Sequence, residues 1–206
     1  MSTRVKICGI TNAADAEQAI AAGADALGLN FYGKSPRYLA LGQAARIARP
    51  LPPFILRDGV FVNATAELVQ QAIMECGLGM VQFHGDETPQ FCAQFGIMSM
   101  KAFRIRDAGS LKEMAKYQTD AYLLDAWSGE LAGGTGKQFD WALANEAKRL
   151  GKPIFLAGGL TPENVAEAVR RVRPFGVDVS SGVESSPGKK DPEKVRAFIN
   201  AVRSVV

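Results

Sequence analysis

Two side chains of this sequence are suited to acid–base chemistry. Asp125 follows an apolar run at residues 121–124, and a carboxyl group in such surroundings tends to have a raised pKa, so that it stays protonated and can act as a general acid. Cys8 ends another apolar run, two residues after Lys6, and a neighbouring cation favours the thiolate that a proton-abstracting base requires. The pair predicts a reaction by proton transfer alone, with no metal and no cofactor. The alternatives are a solvated aspartate and an inert buried cysteine.

Two glycine-bearing segments predict a phosphate site. They read AGGLT at residues 157–161 and SSGVE at residues 180–184. Glycine lets backbone N–H groups approach an anion closely, and a helix N-terminus just beyond adds a favourable dipole. We therefore expect a phosphate group to bind at Gly158, Gly159, Ser181 and Gly182. The simpler interpretation is that the glycines only turn the chain.

Three further residues are candidates for substrate binding. Arg37 lies in the segment FYGKSPRY at residues 31–38, where an arginine can grip a carboxylate through two hydrogen bonds, although a solvated loop arginine would look the same. His84 is the sole histidine, and it has either a structural hydrogen bond or a part in the chemistry. Asp178 stands near the end of a strand-like run.

The segment at residues 127–139 is expected to be a mobile loop that closes over the substrate. It contains GGTGKQ at residues 133–138, which resembles a P-loop but carries Gln138 where a serine or threonine would hold magnesium. An ordinary surface loop is the alternative interpretation.

These residues must be positioned by an alternation of strands and helices. Eight short apolar runs are strand candidates, at residues 5–8, 26–31, 54–62, 80–84, 97–103, 121–125, 154–157 and 176–180. Segments of helical period lie between them, at residues 13–22, 65–76, 111–117, 140–150, 162–172 and 192–205, with shorter ones at 41–48 and 89–95. Pro162 and Pro192 follow Thr161 and Asp191, which predicts a helix start at each proline.

Strict alternation of this kind predicts parallel strands joined by right-handed crossovers. The expected fold is an α/β (βα)8 TIM barrel that forms a single domain over residues 1–206; an open doubly wound sheet is the alternative. Active sites of such barrels gather at the carboxyl ends of the strands, and phosphate sites follow strands seven and eight. The polar residues at strand ends that should meet there are Cys8, His84, Arg104, Asp125, Asp178 and Ser180.

Composition narrows the function classes. The 206 residues carry a net charge of only +3, with 24 basic residues scattered among 21 acidic ones, so nucleic acid receives no support as a partner. The odd number of cysteines, 3, without CxxC spacing indicates neither a disulfide framework nor a zinc site. No apolar run is long enough to span a bilayer, and the sequence shows no signal peptide. A cytoplasmic protein without a membrane partner is expected.

The sequence resembles phosphoribosylanthranilate isomerase from one end to the other. The resemblance rests on an ordered set of segments, namely KICGIT (6–11), FYGKSPRY (31–38), QFHG (82–85), LD (124–125) with GGTG (133–136), AGGL (157–160) and DVSSGVE (178–184). It implies the Amadori rearrangement of N-(5-phosphoribosyl)anthranilate in tryptophan biosynthesis, with Asp125 as acid and Cys8 as base. It further implies that Arg37 holds the anthranilate carboxylate and that Asp178 contacts ribose hydroxyls. The third strand departs from the family pattern at Arg57 and Asp58, which puts its start and packing in doubt.

Rival functions remain at this point. The isomerase of histidine biosynthesis carries out a similar rearrangement but has an aspartate at the end of strand one, where Cys8 stands. Indole-glycerol-phosphate synthase has similar phosphate loops, but its catalytic lysines and N-terminal extension are not found here. A phosphate-binding or regulatory barrel without catalysis is the alternative from a different class. The expected assembly is a monomer or a homodimer acting on a small phosphorylated sugar–anthranilate.

Overall fold

Eight parallel strands close into a barrel in the order in which they occur in the chain. The structure is a computed structural model that describes residues 2–105, 107–125 and 141–205. The strands are β1 (Arg4–Cys8), β2 (Ala26–Asn30), β3 (Leu56–Phe61), β4 (Met80–Phe83), β5 (Met98–Phe103), β6 (Ala121–Asp125), β7 (Ile154–Ala157) and β8 (Gly176–Val179). The ring closes where β8 pairs with β1, with Val179 opposite Ile7. The predicted TIM barrel is therefore confirmed, and the open doubly wound sheet is excluded.

Helices follow the strands around the barrel. They are α1 (Ala13–Ala21), α2 (Leu41–Ala48), α3 (Ala66–Cys76), α4 (Pro89–Cys92), α5 (Ala108–Met114), α6 (Trp141–Ala147), α7 (Val165–Val172) and α8 (Pro192–Arg203). After β8 the chain forms a 3-10 turn at Ser181–Val183 and a small antiparallel hairpin of β9 (Glu184–Ser186) and β10 (Lys189–Lys190). That hairpin was not predicted from the sequence.

Two predicted helix starts are wrong, and side-chain hydrogen bonds near each start explain both. Helix α7 begins at Val165 rather than Pro162, because the Asn164 side chain accepts from the Thr161 N–H at 2.8 Å and donates to the Gly159 carbonyl at 2.9 Å, which holds the preceding residues in a turn. Helix α5 begins three residues before the predicted start because Asp107 caps it. The start of α8 at Pro192, capped by Asp191, is confirmed.

Alternation along the strands divides the buried side chains between two cores. One set faces the helices and forms the main apolar cluster, which includes Ile7, Leu29, Phe61 and Phe83. The other set fills the inside of the barrel and is dominated by Met80, Met100, Leu123 and Phe155. Apolar side chains therefore fill the barrel interior below the carboxyl ends of the strands. The polar residues that end the strands lie above this apolar layer.

The unusual charged pair in β3 fits the strand without disturbing it. Strand β3 pairs in register with β2 and β4, although it begins at Leu56, two residues later than predicted. Arg57 points outward and donates to the carbonyls of Ala48 and Leu51 at 2.9 and 2.7 Å, so it satisfies the end of α2. Asp58 points inward, is 0% exposed and lies 2.8 Å from the Lys6 ammonium. The doubt about this strand is thereby removed.

Candidate active site

One cavity at the carboxyl end of the barrel collects all but one of the residues that the sequence marks for the site. It has a volume of about 350 Å³. The ten candidates that line it are Cys8, Arg37, His84, Asp125, Gly158, Gly159, Asp178, Ser180, Ser181 and Gly182. Arg104 is the exception among the strand-end residues, because it lines a neighbouring cavity of about 520 Å³. His84 lines both cavities.

Cys8 is held at the cavity by close packing between β1 and β2. Its side chain is 8% exposed, and Gly28 on β2 faces it so closely that a β-carbon there would lie 2.7 Å from Sγ. Burial raises the pKa of the Cys8 thiol to about 11, and the nearby charges of Asp178 and Asp58 oppose the lowering effect of Lys6. Lys6 favours the thiolate, as the sequence predicted, but burial outweighs its effect in the free protein.

The Lys6 ammonium is engaged with three partners inside the barrel. Its Nζ lies 2.8 Å from Asp58 Oδ2, 3.3 Å from Asp178 Oδ2 and 2.7 Å from Gln82 Oε1. Burial alone would lower the pKa of Lys6, but the charges of the two aspartates raise it above its usual value. The cation is thus shared between two carboxylates and cannot act on Cys8 alone.

Asp125, at the end of β6, contacts the only histidine. Its Oδ2 lies 3.2 Å from His84 Nε2, and the other ring nitrogen, Nδ1, lies 3.1 Å from Gln82 Nε2. Asp125 and His84 are both partly exposed to the cavity. The sequence left the role of His84 open, and the geometry connects this ring to the candidate acid.

Arg37 reaches the cavity from the loop after β2 and is already paired. Its Nε and Nη2 donate to Glu184 at 2.7 and 2.6 Å, and Lys190 donates to the same carboxylate at 3.0 Å. Burial by itself raises the pKa of Glu184, but the hydrogen bond from Arg37 and the charge of Lys190 lower it below its usual value. One anion between two cations leaves this side of the cavity positively charged.

The glycine segments form a further part of the cavity wall. Gly158 and Gly159 have φ angles of 80° and 66°, which only glycine adopts without strain, and they turn the chain directly after β7. A β-carbon at Gly182 would overlap the Leu160 carbonyl, so the loops after β7 and β8 touch through their backbones. The absence of side chains at these glycines leaves room for backbone N–H groups to approach an anion.

The predicted mobile loop at residues 127–139 lies outside the described residues. Within residues 2–105, 107–125 and 141–205, no cluster of histidine, cysteine, aspartate and glutamate could hold a metal ion, and no helix is apolar and long enough to cross a membrane.

Comparison with known proteins decides the family. Residues 5–201 match the family model described as N-(5'-phosphoribosyl)anthranilate (PRA) isomerase. The chain belongs to the phosphoribosylanthranilate isomerase family. The N-(5'-phosphoribosyl)anthranilate isomerase of Trichlorobacter lovleyi is 54% identical over 203 residues, which are 98% of this chain and 99% of that protein.

Solved structures of phosphoribosylanthranilate isomerases have the same fold. The enzyme from Thermotoga maritima superposes with a TM-score of 0.91 at 42% identity, covering 98% of this chain and 99% of the other. A second phosphoribosylanthranilate isomerase structure, in complex with reduced 1-(o-carboxyphenylamino)-1-deoxyribulose 5-phosphate, gives 0.88 at 40% identity over 98% and 99% of the two chains. Membership confirms the resemblance seen in the sequence and the prediction of an isomerase.

Sequence reasoning missed four residues that shape this isomerase site. Gln82 stands two residues before His84 on the same strand face, so strand parity could have found it. Gly28 and the inward-facing Asp58 become important only when β2 is placed beside β1 and β3 beside β2. Glu184 follows the last barrel strand, and no pattern in the sequence links it to Arg37.

Proposed function

We propose that the chain converts N-(5-phosphoribosyl)anthranilate to 1-(2-carboxyphenylamino)-1-deoxyribulose 5-phosphate in tryptophan biosynthesis. The observation that carries this proposal is the shared cavity, in which a thiol and a carboxyl group from distant strands lie with two glycine loops of the phosphate-binding type. The reaction is an Amadori rearrangement, in which the sugar ring opens and a proton leaves one carbon.

Asp125 is the proposed general acid and Cys8 the proposed general base. Asp125 gives its proton to the furanose ring oxygen, the C1–O bond breaks, and a positively charged Schiff base forms between C1 and the anthranilate nitrogen. Cys8 then removes the C2 proton, and the electron pair of that bond neutralises the Schiff base as an enol–enamine. Tautomerisation of the enol gives the keto product, so no atom is gained or lost overall.

The raised pKa of Cys8 fits this order of steps. A buried thiol with a pKa of about 11 is uncharged in the free protein at neutral pH. The Schiff base brings a positive charge next to C2, and a nearby cation favours the thiolate. Ring opening therefore creates the charge that activates the base, and Lys6 and Lys190 act in the same direction. The thiol proton leaves to solvent, Cys8 becomes a thiol again when it takes the C2 proton, and Asp125 regains a proton from solvent after product formation.

The remaining site residues are proposed to bind the substrate. The N–H groups of the segments with Gly158, Gly159, Ser181 and Gly182 hold the phosphate. Asp178 accepts a ribose hydroxyl through Oδ1, a buried atom that has no hydrogen-bond partner among the described residues. Arg37 offers the anthranilate carboxylate the side of its guanidinium that Glu184 leaves open. His84 contacts the substrate beside Asp125.

Loss of anthranilate-substrate fluorescence tests the proposal. We expect Cys8→Ser and Asp125→Asn each to lower kcat by about 100- to 10,000-fold, because each removes one proton-transfer group. Cys76→Ser, at a buried thiol of α3 far from the cavity, is the matched control and should keep the wild-type kcat. Unchanged turnover in Cys8→Ser and Asp125→Asn would show that the mechanism is wrong. Substrate binding without turnover by the wild-type chain would favour the regulatory barrel instead.

We further propose that residues 1–206 act as one catalytic domain, as a monomer or a homodimer, in the cytoplasm. The three cysteines are buried and unpaired, which suits a reducing compartment. Sedimentation velocity with the purified chain distinguishes the two assemblies.

A further inference from the structure

A chain of hydrogen bonds crosses the barrel from Lys6 to Asp125. Lys6 Nζ lies 2.7 Å from Gln82 Oε1, Gln82 Nε2 lies 3.1 Å from His84 Nδ1, and His84 Nε2 lies 3.2 Å from Asp125 Oδ2. Gln82 is 1% exposed, and Lys6 is equally buried, so water does not compete for the contact between them.

The Lys6 ammonium fixes the orientation of the Gln82 amide. An ammonium group only donates hydrogen bonds, so the amide atom that faces it must be the oxygen. The amide nitrogen then points at His84 with an N–H, and His84 Nδ1 must accept that bond. The ring proton of a neutral His84 therefore resides on Nε2, which faces Asp125.

We propose that Gln82 is a positioning residue that fixes the Nε2–H tautomer of an uncharged His84 beside Asp125, so that no imidazolium cation stabilises the Asp125 carboxylate. This inference rests on the role of general acid proposed above for Asp125. An imidazolium would turn its Nδ1–H against the amide N–H of Gln82, and two donors cannot share a hydrogen bond. It would also put a cation beside Asp125 and favour the carboxylate, which has no proton to give.

Acidic and basic groups both lie near His84. Carboxylates favour a charged ring, whereas cations oppose it. Acidic groups near the ring come from four sides, namely Asp58 on β3, Asp125 on β6, Asp178 on β8 and Asp86 in the loop after β4. The other titratable and basic groups that border the same two cavities are Cys8, Arg37, Lys101, Arg104, Glu113 and Tyr117. Lys6 acts through Gln82 itself.

Nitrogen NMR of the imidazole ring tests the tautomer directly. The chain has 1 histidine, so the ring signals need no assignment. In the wild-type protein we expect the pattern of a neutral ring protonated at Nε2 at pH 7 to 8. A ring protonated at Nδ1, or an imidazolium, would overturn the proposal. This measurement needs no substrate, so its outcome is independent of whether the proposed reaction is correct.

Gln82→Glu tests the link to Asp125. A carboxylate at this position accepts from Nδ1–H and stabilises the imidazolium, so the histidine signals should change to the charged form at neutral pH. The limb of the kcat/KM profile on which Asp125 loses its proton should move to lower pH by about 1 unit, with a loss of about tenfold in kcat at pH 8 and little change in KM. Gln71→Glu introduces the same charge on the exposed face of α3 and should leave both readouts unchanged.

Gln82→Met keeps the length of the side chain without its N–H and covers the case in which the glutamate variant does not fold. We expect a mixture of ring tautomers and a kcat between those of the wild type and of Gln82→Glu. If the glutamate and methionine variants fold, retain the Nε2–H pattern and follow the wild-type pH profile, Gln82 has only a packing role and the proposal is wrong.

Discussion

Gly28→Ala is the substitution that tests most directly how the barrel positions its base. An added β-carbon would lie 2.7 Å from Cys8 Sγ and 3.0 Å from Cys8 Cα. Nonbonded carbon atoms normally stay about 3.5–4.0 Å apart. The Gly28 carbonyl also accepts from the N–H groups of Gly9 and Ile10, each at 3.0 Å, so β2 cannot move away without disturbing the turn that follows Cys8. The thiol must therefore shift by about 1 Å.

A displacement of this size changes rate and stability by different amounts. A reacting group misplaced by about 1 Å can cost about 100-fold in rate, so kcat should fall by about 10- to 100-fold while KM stays near the wild-type value. Overpacking of a buried position costs about 1–3 kcal/mol of unfolding free energy. Gly33→Ala is the matched control, because no atom lies within 4 Å of its added β-carbon and its φ is not left-handed.

Fluorescence kinetics and urea unfolding supply the two readouts. In a Cys8→Ala background the sulfur is absent, so adding Gly28→Ala should cost about 1 kcal/mol less than in the wild type. Wild-type kcat in Gly28→Ala, together with the same destabilisation with and without the sulfur, would refute the packing of Cys8 against Gly28.

Three further predictions follow from buried and paired charges. Iodoacetamide should modify Cys8 about tenfold faster per pH unit up to about pH 11, as peptide mass mapping can follow; a plateau below pH 9 would contradict the raised pKa. Burial by itself raises the pKa of Asp25, but hydrogen bonds lower it below its usual value, so the stabilisation by this carboxylate is present above about pH 4 and is lost as the pH falls through the lowered pKa. Asp25→Asn should cost only about 1 kcal/mol of unfolding free energy at pH 7, because Arg203 is partly exposed, and less in acid, as urea unfolding can measure. Lys101→Met leaves Glu87 buried without its cation and should cost about 3–5 kcal/mol by the same assay, whereas a loss below 1 kcal/mol would show that the pair is unimportant.

The architecture and the membership of the site could be predicted because both depend on local periodicity. Strands β6 and β7 have the bounds that the sequence predicts, and alternation within each strand places Cys8 and Asp125 at the mouth. Once the strands are parallel and the ring is closed, strand ends that are distant in sequence must meet.

The electrostatics of the site could not be predicted because they depend on which strands are neighbours. From the sequence, Lys6 was expected to favour the Cys8 thiolate, since both lie on β1. The structure shows that Asp58 and Asp178 approach the same ammonium from β3 and β8. Burial of the thiol, which decides the sign of its pKa shift, is likewise a property of the assembled barrel.

The pairing of β1 with β8 joins strands from nearly opposite ends of the sequence. Lys6 and Asp178 meet across this junction, and Arg203 of the last helix donates to the Thr3 carbonyl beside it at 2.7 Å. As ribosomes release the chain, β1 must therefore wait for almost all later residues before its second neighbour arrives. A nascent or truncated product that lacks β8 has two open sheet edges and no complete cavity, and such edges invite association with other chains.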